Sequence, residues 1–338
     1  MNSAELIFTE NISEAFSDLC KRYQIDEPIV FCDSNTAKYC LPRLKHPSVR
    51  SIVMPAGEIN KNLNQCIELI QSLETAGADR QSVLINLGGG VVSDLGGFAA
   101  SVFQRGIRFI NVPTTLLAMV DASIGGKTGV DFKDLKNYVG SFSQPQEIII
   151  STEFLDSNFP DQEFKSAWAE IIKTATMSDI ELFNDLEKGT LSLEKVVRKC
   201  AELKKRITDS DFHDEGERQK LNFGHTIGHA FESFKLESKQ PVLHGFAVAA
   251  GMKMELALSM QLGLISNQDA KRILDLIDLK VPTELIGETD FEAMRKFLVK
   301  DKKNRSGQIS FSLPIGVGVG RSGISLRTEE INFLKFKV

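Results

Sequence analysis

The 338-residue chain carries 40 Lys and Arg against 45 Asp and Glu, a net charge of −5, with 42% hydrophobic and 25% charged residues. That length predicts one large or two medium domains, each able to bury a core. The acidic balance argues against bulk nucleic-acid binding but allows a local cluster of cations to hold a small anion. No apolar run is long enough to span a bilayer, and the start MNSAELIFTE lacks the basic-then-apolar order of a signal peptide. The five cysteines, Cys20, Cys32, Cys40, Cys66 and Cys200, include no CxxC pair. A cytoplasmic protein is expected, with reduced thiols, no thiolate metal site and no membrane contact.

In chain order, the first half alternates short apolar runs with helical stretches. Strands are predicted at Pro28 to Cys32, Ser51 to Met54, Val83 to Leu87, Ile107 to Val112 and Glu147 to Ile150, with a crossover helix over Leu63 to Ala76. Continuous Val and Ile runs are the mark of parallel strands covered on both faces, so the rhythm predicts β-α-β units. From about Phe154 the pattern turns helical, over Leu191 to Ile207, Phe246 to Leu262 and Gln268 to Leu279. The expectation is an α/β domain over residues 1–155 and an all-helical domain over 156–338, with a short strand possible only at Gln308 to Leu313.

Two glycine loops carry chemistry. Leu87-Gly88-Gly89-Gly90-Val91-Val92-Ser93-Asp94 follows a strand and opens a helix, so bare N–H groups could meet a diphosphate. The run is not GxGxxG, and a tight turn without a ligand would use the same glycines. Asp33 closes a strand, where it suits either a ribose or a helix cap. A second loop, Asp121 to Thr128, ends in GKT, but Asp121 stands where a Walker A loop needs glycine. A lysine, Lys127, on a flexible glycine turn remains, suited to an anion or simply solvated.

Three of the five histidines, His225, His229 and His244, fall within NFGHTIGHAFE and VLHG. On a helix His225, His229 and Glu232 share a face, which permits metal ligation and equally permits an ordinary histidine pair. In WAEIIK, Glu170 and Lys173 lie one turn apart in an apolar stretch, as a metal-and-anion site or as an intrahelical ion pair.

Taken in order, GGGVVSDLGGF, RGIRFINVPTTLLAMVDASIGGKTGVD, LKNYVGSF, AEIIKTA, DEGERQKLNFGHTIGHAFE, LHG and DKK resemble 3-dehydroquinate synthases, from about residue 29 to 320. The resemblance implies a Rossmann-like NAD-binding α/β domain, a helical metal-binding domain and a homodimer. It implies a divalent metal, zinc or cobalt, on Glu170, His225 and His244, with His229 as a catalytic or phosphate-contacting neighbour. It places NAD on Asp33, Asn35, Glu58, Lys61, Gly89, Gly90, Val91, Asp94, Thr114, Thr115, Lys136, Leu155 and Asn158. Arg105, Asp121, Lys127, Asn137, Lys173, Lys204, Arg218, Asn222 and one of Lys302 or Lys303 would meet an anionic sugar phosphate. The implied chemistry is transient oxidation by NAD, loss of phosphate, return of the hydride and ring closure. Three positions depart from the family pattern: Asp214 stands for a glutamate proposed as proton acceptor, Phe246 for a glutamate, and Asn158 for a threonine. Other sugar-phosphate cyclases and metal-dependent glycerol or alcohol dehydrogenases are the competing readings.

Overall fold

A computed structural model describes residues 3–133, 135–155, 161–299, 308–327 and 330. Asn158, Lys302 and Lys303 lie outside the described residues. The chain divides into two compact units, Met1–Phe159 with Lys204–His213, and Pro160–Leu203 with Asp214–Val338.

The first unit runs β1 (Glu5–Phe8), α1 (Ile12–Tyr23), β2 (Ile29–Asp33), α2 (Ser34–Tyr39), β3 (Arg50–Met54), α3 (Leu63–Thr75), β4 (Val83–Gly88), α4 (Gly90–Val102), β5 (Arg108–Pro113), β6 (Lys127–Phe132), β7 (Leu135–Phe142) and β8 (Glu147–Ile150). Six strands form one sheet in the order β1-β8-β5-β4-β2-β3, all parallel. Every residue of β4 and β8 is buried, as parallel strands with helices on both faces require. Helix α3 shows how the core is built: Cys66, Leu69 and Leu73 recur at helical spacing and pack with Phe31, Leu84, Leu95 and Phe109. The five predicted strands are present. Two features were not foreseen, the edge strand β1 and the antiparallel hairpin β6–β7.

The second unit contains α5 (Asp161–Ser178), α6 (Ile180–Lys188), residues 193–203 of α7 (Leu193–Ser210), α8 (His225–Glu237), α9 (His244–Gln261), α10 (Asn267–Lys280), α11 (Glu288–Val299), β9 (Gln308–Gly316) and β10 (Val319–Arg327). It is therefore not all-helical: β9 and β10 pair antiparallel, and Ile309, Phe311, Leu313 and Leu326 fill the core beneath α8, α9 and α11.

The expectation that everything after residue 155 belongs to the helical half needs correction. Lys204–His213 belongs to the first unit. There Asp209 and Lys205 bond Ser3 next to β1, and Phe212 and His213 pack on Phe142 of β7. The periodicity of α7 is unbroken from end to end, so its sequence carries no sign that its two ends serve different cores. Among the described residues no helix is long and apolar enough to cross a membrane.

Candidate active site

In the first unit the strand order reverses between β2 and β4, since the chain goes from β2 outward to β3 but from β4 outward to β5. Open parallel sheets bind ligands outside the carboxyl ends of the strands at such a switch. Register aligns Asp33 with Met54, Cys32 with Leu87, and Gly88 with Pro113. The expected nucleotide residues therefore follow one sheet edge: Asp33 and Asn35 after β2, Glu58 and Lys61 after β3, Gly89, Gly90, Val91 and Asp94 after β4, Thr114 and Thr115 after β5, and Leu155 after β8.

Gly89 caps α4 with no side chain, leaving the N–H groups of its first turn to a guest. A Cβ on Gly89 would lie 3.2 Å from Thr115, and one on Gly90 3.2 Å from Ala122. The buried hydroxyls of Ser93 and Thr114 have no hydrogen-bond partner. Bare amides and orphaned hydroxyls around one turn fit an anionic, hydrogen-bonding guest such as a diphosphate. Asp33 proves to be a cap: its Oδ1 accepts the N–H groups of Asn35 and Thr36 at 2.8 Å each. The ribose role is not lost, because Oδ2 is left over from the cap.

Lys61 is buried, with Nζ 2.6 Å from both Asp94 Oδ2 and Asn137 Oδ1. Burial would lower its pKa, but Asp94 and Glu58 outweigh burial and hold it above the usual lysine value. Lys136 pairs with Glu58 at 3.5 Å. Asn137, expected at the substrate, thus joins a cluster expected at the nucleotide. Asp121, on the single π-helical turn Ala118–Ala122, receives Lys204 Nζ at 2.5 Å. Lys127 is the exposed first residue of β6, so it stands on a hairpin strand and not on a flexible turn. Arg105 is brought to none of these groups. It is exposed in left-handed backbone, φ +73, at the far end of α4, and thirteen helical residues span about 20 Å.

In the second unit three helices converge. Glu170 and Lys173 on α5 are each 1% exposed and form an ion pair. His225 and His229 start α8, and His244 is the first residue of α9. His225 Nδ1 faces the Phe223 carbonyl and His244 Nδ1 faces Glu232 Oε2, both at 3.2 Å. The Nε2 atoms of both rings then lie 3.5 Å from one atom, Oε1 of Glu170. Metal bonds of about 2.0–2.2 Å in tetrahedral array would set such donors about 3.4 Å apart. Beyond the ion pair with Lys173, neither Glu170 oxygen has a hydrogen-bond partner, so the oxygen that faces the two imidazoles keeps acceptor capacity for a cation. The donor set therefore fits a divalent metal. His229 is exposed, its ring 5.1 Å from His225 and 5.8 Å from His244, and one nitrogen of each of the three rings lies within 4.8 Å of the others.

Burial would raise the Glu170 pKa, yet Lys173 and His244 hold it well below the usual range. Burial opposes charge on His244 too, but Glu170 and Glu232 push its pKa up to about 10. Glu232, expected only to share a face with the histidines, holds the His244 ring, a common support for metal-binding imidazoles. Ser166 was not foreseen. Its hydroxyl accepts the Gly245 N–H at 3.0 Å and fixes the turn that presents His244; serine in a helix is too common to signal this.

Arg218 is 4% exposed, on a 3₁₀ helix, Glu217–Asn222, that includes Asn222. That burial sets Arg218 apart from the residues of surface ion pairs. Asp214 precedes it with φ +63.

The family model described as 3-dehydroquinate synthase N-terminal matches residues 51–166, and that described as 3-dehydroquinate synthase C-terminal matches residues 167–304. A 3-dehydroquinate synthase of Parabacteroides distasonis is 37% identical, over 98% of this chain and 96% of that one. The chain belongs to the 3-dehydroquinate synthase family. The fold of this family member is shared more widely. A 2-deoxy-scyllo-inosose synthase solved with carbaglucose-6-phosphate, NAD+ and Co2+ superposes with a TM-score of 0.85 at 23% identity, covering 98% of this chain and 96% of that one. A 2-epi-5-epi-valiolone synthase from Streptomyces hygroscopicus with NAD+ and Zn2+ bound does so with 0.83 at 25%, covering 98% and 95%. In this 3-dehydroquinate synthase family chain, Phe246 lines a pocket of about 290 Å³ with Phe231, Val242, Pro282, Thr283 and Glu284.

Proposed function

We propose that the chain converts 3-deoxy-D-arabino-heptulosonate 7-phosphate to 3-dehydroquinate and phosphate, as a carbon–oxygen lyase dependent on NAD and one divalent metal. The observation that carries the reading is the convergence of two histidine Nε2 atoms on the buried Glu170 carboxylate, in a unit that also buries Lys173 and Arg218. A cyclase acting on an acidic sugar phosphate needs both a metal centre and cations.

Glu170, His225 and His244 would hold the metal, and the sheet edge from Asp33 to Thr115, with Glu58, Lys61 and Lys136, would hold the nucleotide. When bound, the metal supplies a Lewis acid for the substrate's oxygens and NAD a hydride acceptor that is restored within the same turnover. His229, exposed one turn beyond His225, would take and return a proton. Lys173 would supply positive charge for phosphate as the carbon–oxygen bond breaks and phosphate leaves with the electron pair, whereas Lys127 and Lys204 belong by the resemblance with the acidic end of the substrate. Arg218 offers a planar fork for the carboxylate, with Asn222 and Asn137 as uncharged partners. Ring closure then forms a carbon–carbon bond and consumes no cofactor.

The exposed Val53 on the edge strand β3, and Ile59 after it, support a homodimer. All five cysteines are buried and none is in a disulfide, which supports a reducing, cytoplasmic setting.

The test is phosphate release from the seven-carbon acid phosphate, with sedoheptulose 7-phosphate as the uncharged-end control. Rapid release from the acid and poor turnover of the control are expected. Equal rates would move the chain to the cyclases of neutral sugars.

A further inference from the structure

We infer that Glu255 is a positioning residue for the metal centre: from α9 its carboxylate caps the start of α8 and so sets where His225 stands. The inference rests on Glu170, His225 and His244 being the metal site.

Helix α8 has no cap of its own. Gly224 occupies the N-cap in left-handed backbone, φ +79, and a Cβ there would lie 2.4 Å from Met252 Cγ and 2.7 Å from the Val248 carbonyl. Neither the conformation nor the space admits a Ser, Thr or Asp, the residues that normally bind the first amides of a helix. Glu255 substitutes from another helix. It is 0% exposed, its Oε2 accepts the Gly224 N–H at 2.7 Å, and its Oε1 accepts the Ile227 N–H at 3.0 Å. These are the N-cap and N3 amides, the two that a local capping box serves with two separate side chains. Here a single carboxylate serves both, and His225 lies between its two contacts.

The crossing of α8 and α9 explains how one side chain reaches so far. One turn before Glu255, a Cβ on Gly251 would stand 2.1 Å from the Gly224 carbonyl and 2.6 Å from the Gly228 N. Backbone meets backbone at Gly251, so the next turn of α9 delivers Glu255 to the end of α8. Because α9 also carries His244, this crossing sets the spacing of two metal donors on different helices. Glutamine cannot replace the carboxylate, since only one of its two terminal atoms accepts a hydrogen bond and the other would oppose an N–H.

The test uses full-length protein loaded with Co2+, whose visible spectrum reports ligand geometry. Glu255→Gln should bind Co2+ about tenfold or more weakly, with an altered spectrum and a fall in kcat that leaves KM little changed. Asp179→Ala removes the cap on the Leu182 amide of α6 and should lower thermal stability while leaving cobalt affinity and spectrum as in wild type. If Glu255→Gln lowers only the thermal stability, the inference is overturned. Hydrogen exchange on the wild type gives an answer even if that variant does not fold: the first turn of α8 should be protected in metal-free protein. A turn protected only after cobalt is added would mean that the metal, and not Glu255, orders it. Failure of wild type to bind cobalt, or full binding by His225→Ala, would instead overturn the metal site.

Discussion

At the scale of single residues, the proposed metal centre depends on hydrogen bonds to the far side of each ring. His225 and His244 engage a carbonyl and a carboxylate through Nδ1 and present Nε2 to one oxygen. His244→Ala is expected to lose both metal and turnover, checked by elemental analysis beside the phosphate assay; full activity would refute the assignment. The pH dependence has a definite sign. Glu170 and Glu232 raise His244 to about 10, but a metal ligand must be neutral, so metal and proton compete for Nε2. Affinity for the metal should rise with pH up to about 10, and uptake near neutrality should release a proton. Calorimetry in two buffers of different ionisation heat measures that proton, and a heat independent of buffer would contradict the prediction. Arg218 gives a third expectation. Because it is buried, Arg218→Lys should cost about 2–5 kcal/mol, a thirtyfold to several-thousandfold loss in kcat/KM; a nearly silent substitution would show that no carboxylate meets its fork.

Between elements, the telling contact is Lys61, which follows β3 and joins Asp94 of α4 to Asn137 of β7. Side-chain exposures of 5% for Lys61 and 17% for Asp94 put this pair among those whose breakage strands a charge. Asp94→Ala should therefore cost about 3–5 kcal/mol, read from the denaturant midpoint, whereas a loss below about 1 kcal/mol would class the pair with exposed ones. Little of this contact was legible beforehand. Lys61 and Asp94 were expected near a nucleotide only through the family resemblance, and Asn137 lies on a hairpin that apolar patterning does not reveal. Most of β7 is exposed, so no apolar face marks it, and close approach of Gly129 to the Val139 carbonyl at a built Cβ distance of 2.8 Å shows a pairing made through backbone.

For the whole molecule, the expected result is a redox-neutral cycle. Turnover of the acid phosphate should release phosphate with no build-up of reduced-nicotinamide absorbance; NADH forming in step with substrate loss would place the chain with the dehydrogenases. The sequence by itself determined the parallel sheet, because strands covered on both faces must be apolar over nearly their whole length, as β2, β4 and β8 are apart from Asp33, Asn86 and Glu147. It also determined the pairing of His225 with His229 on one helical face, since 3.6 residues per turn brings i and i+4 together. Only the tertiary structure decided the rest. It set the second unit's β9–β10 hairpin under the helices, returned Lys204–His213 to the first unit, and turned Asp33 into a cap as well as a candidate ribose contact. It brought Glu170, His225 and His244 onto one point and laid Glu255 across the start of α8. Such groups lie on different helices, and periodicity describes one helix at a time; where two helices cross depends on which backbones approach at glycines such as Gly251, and that is settled only when the chain packs.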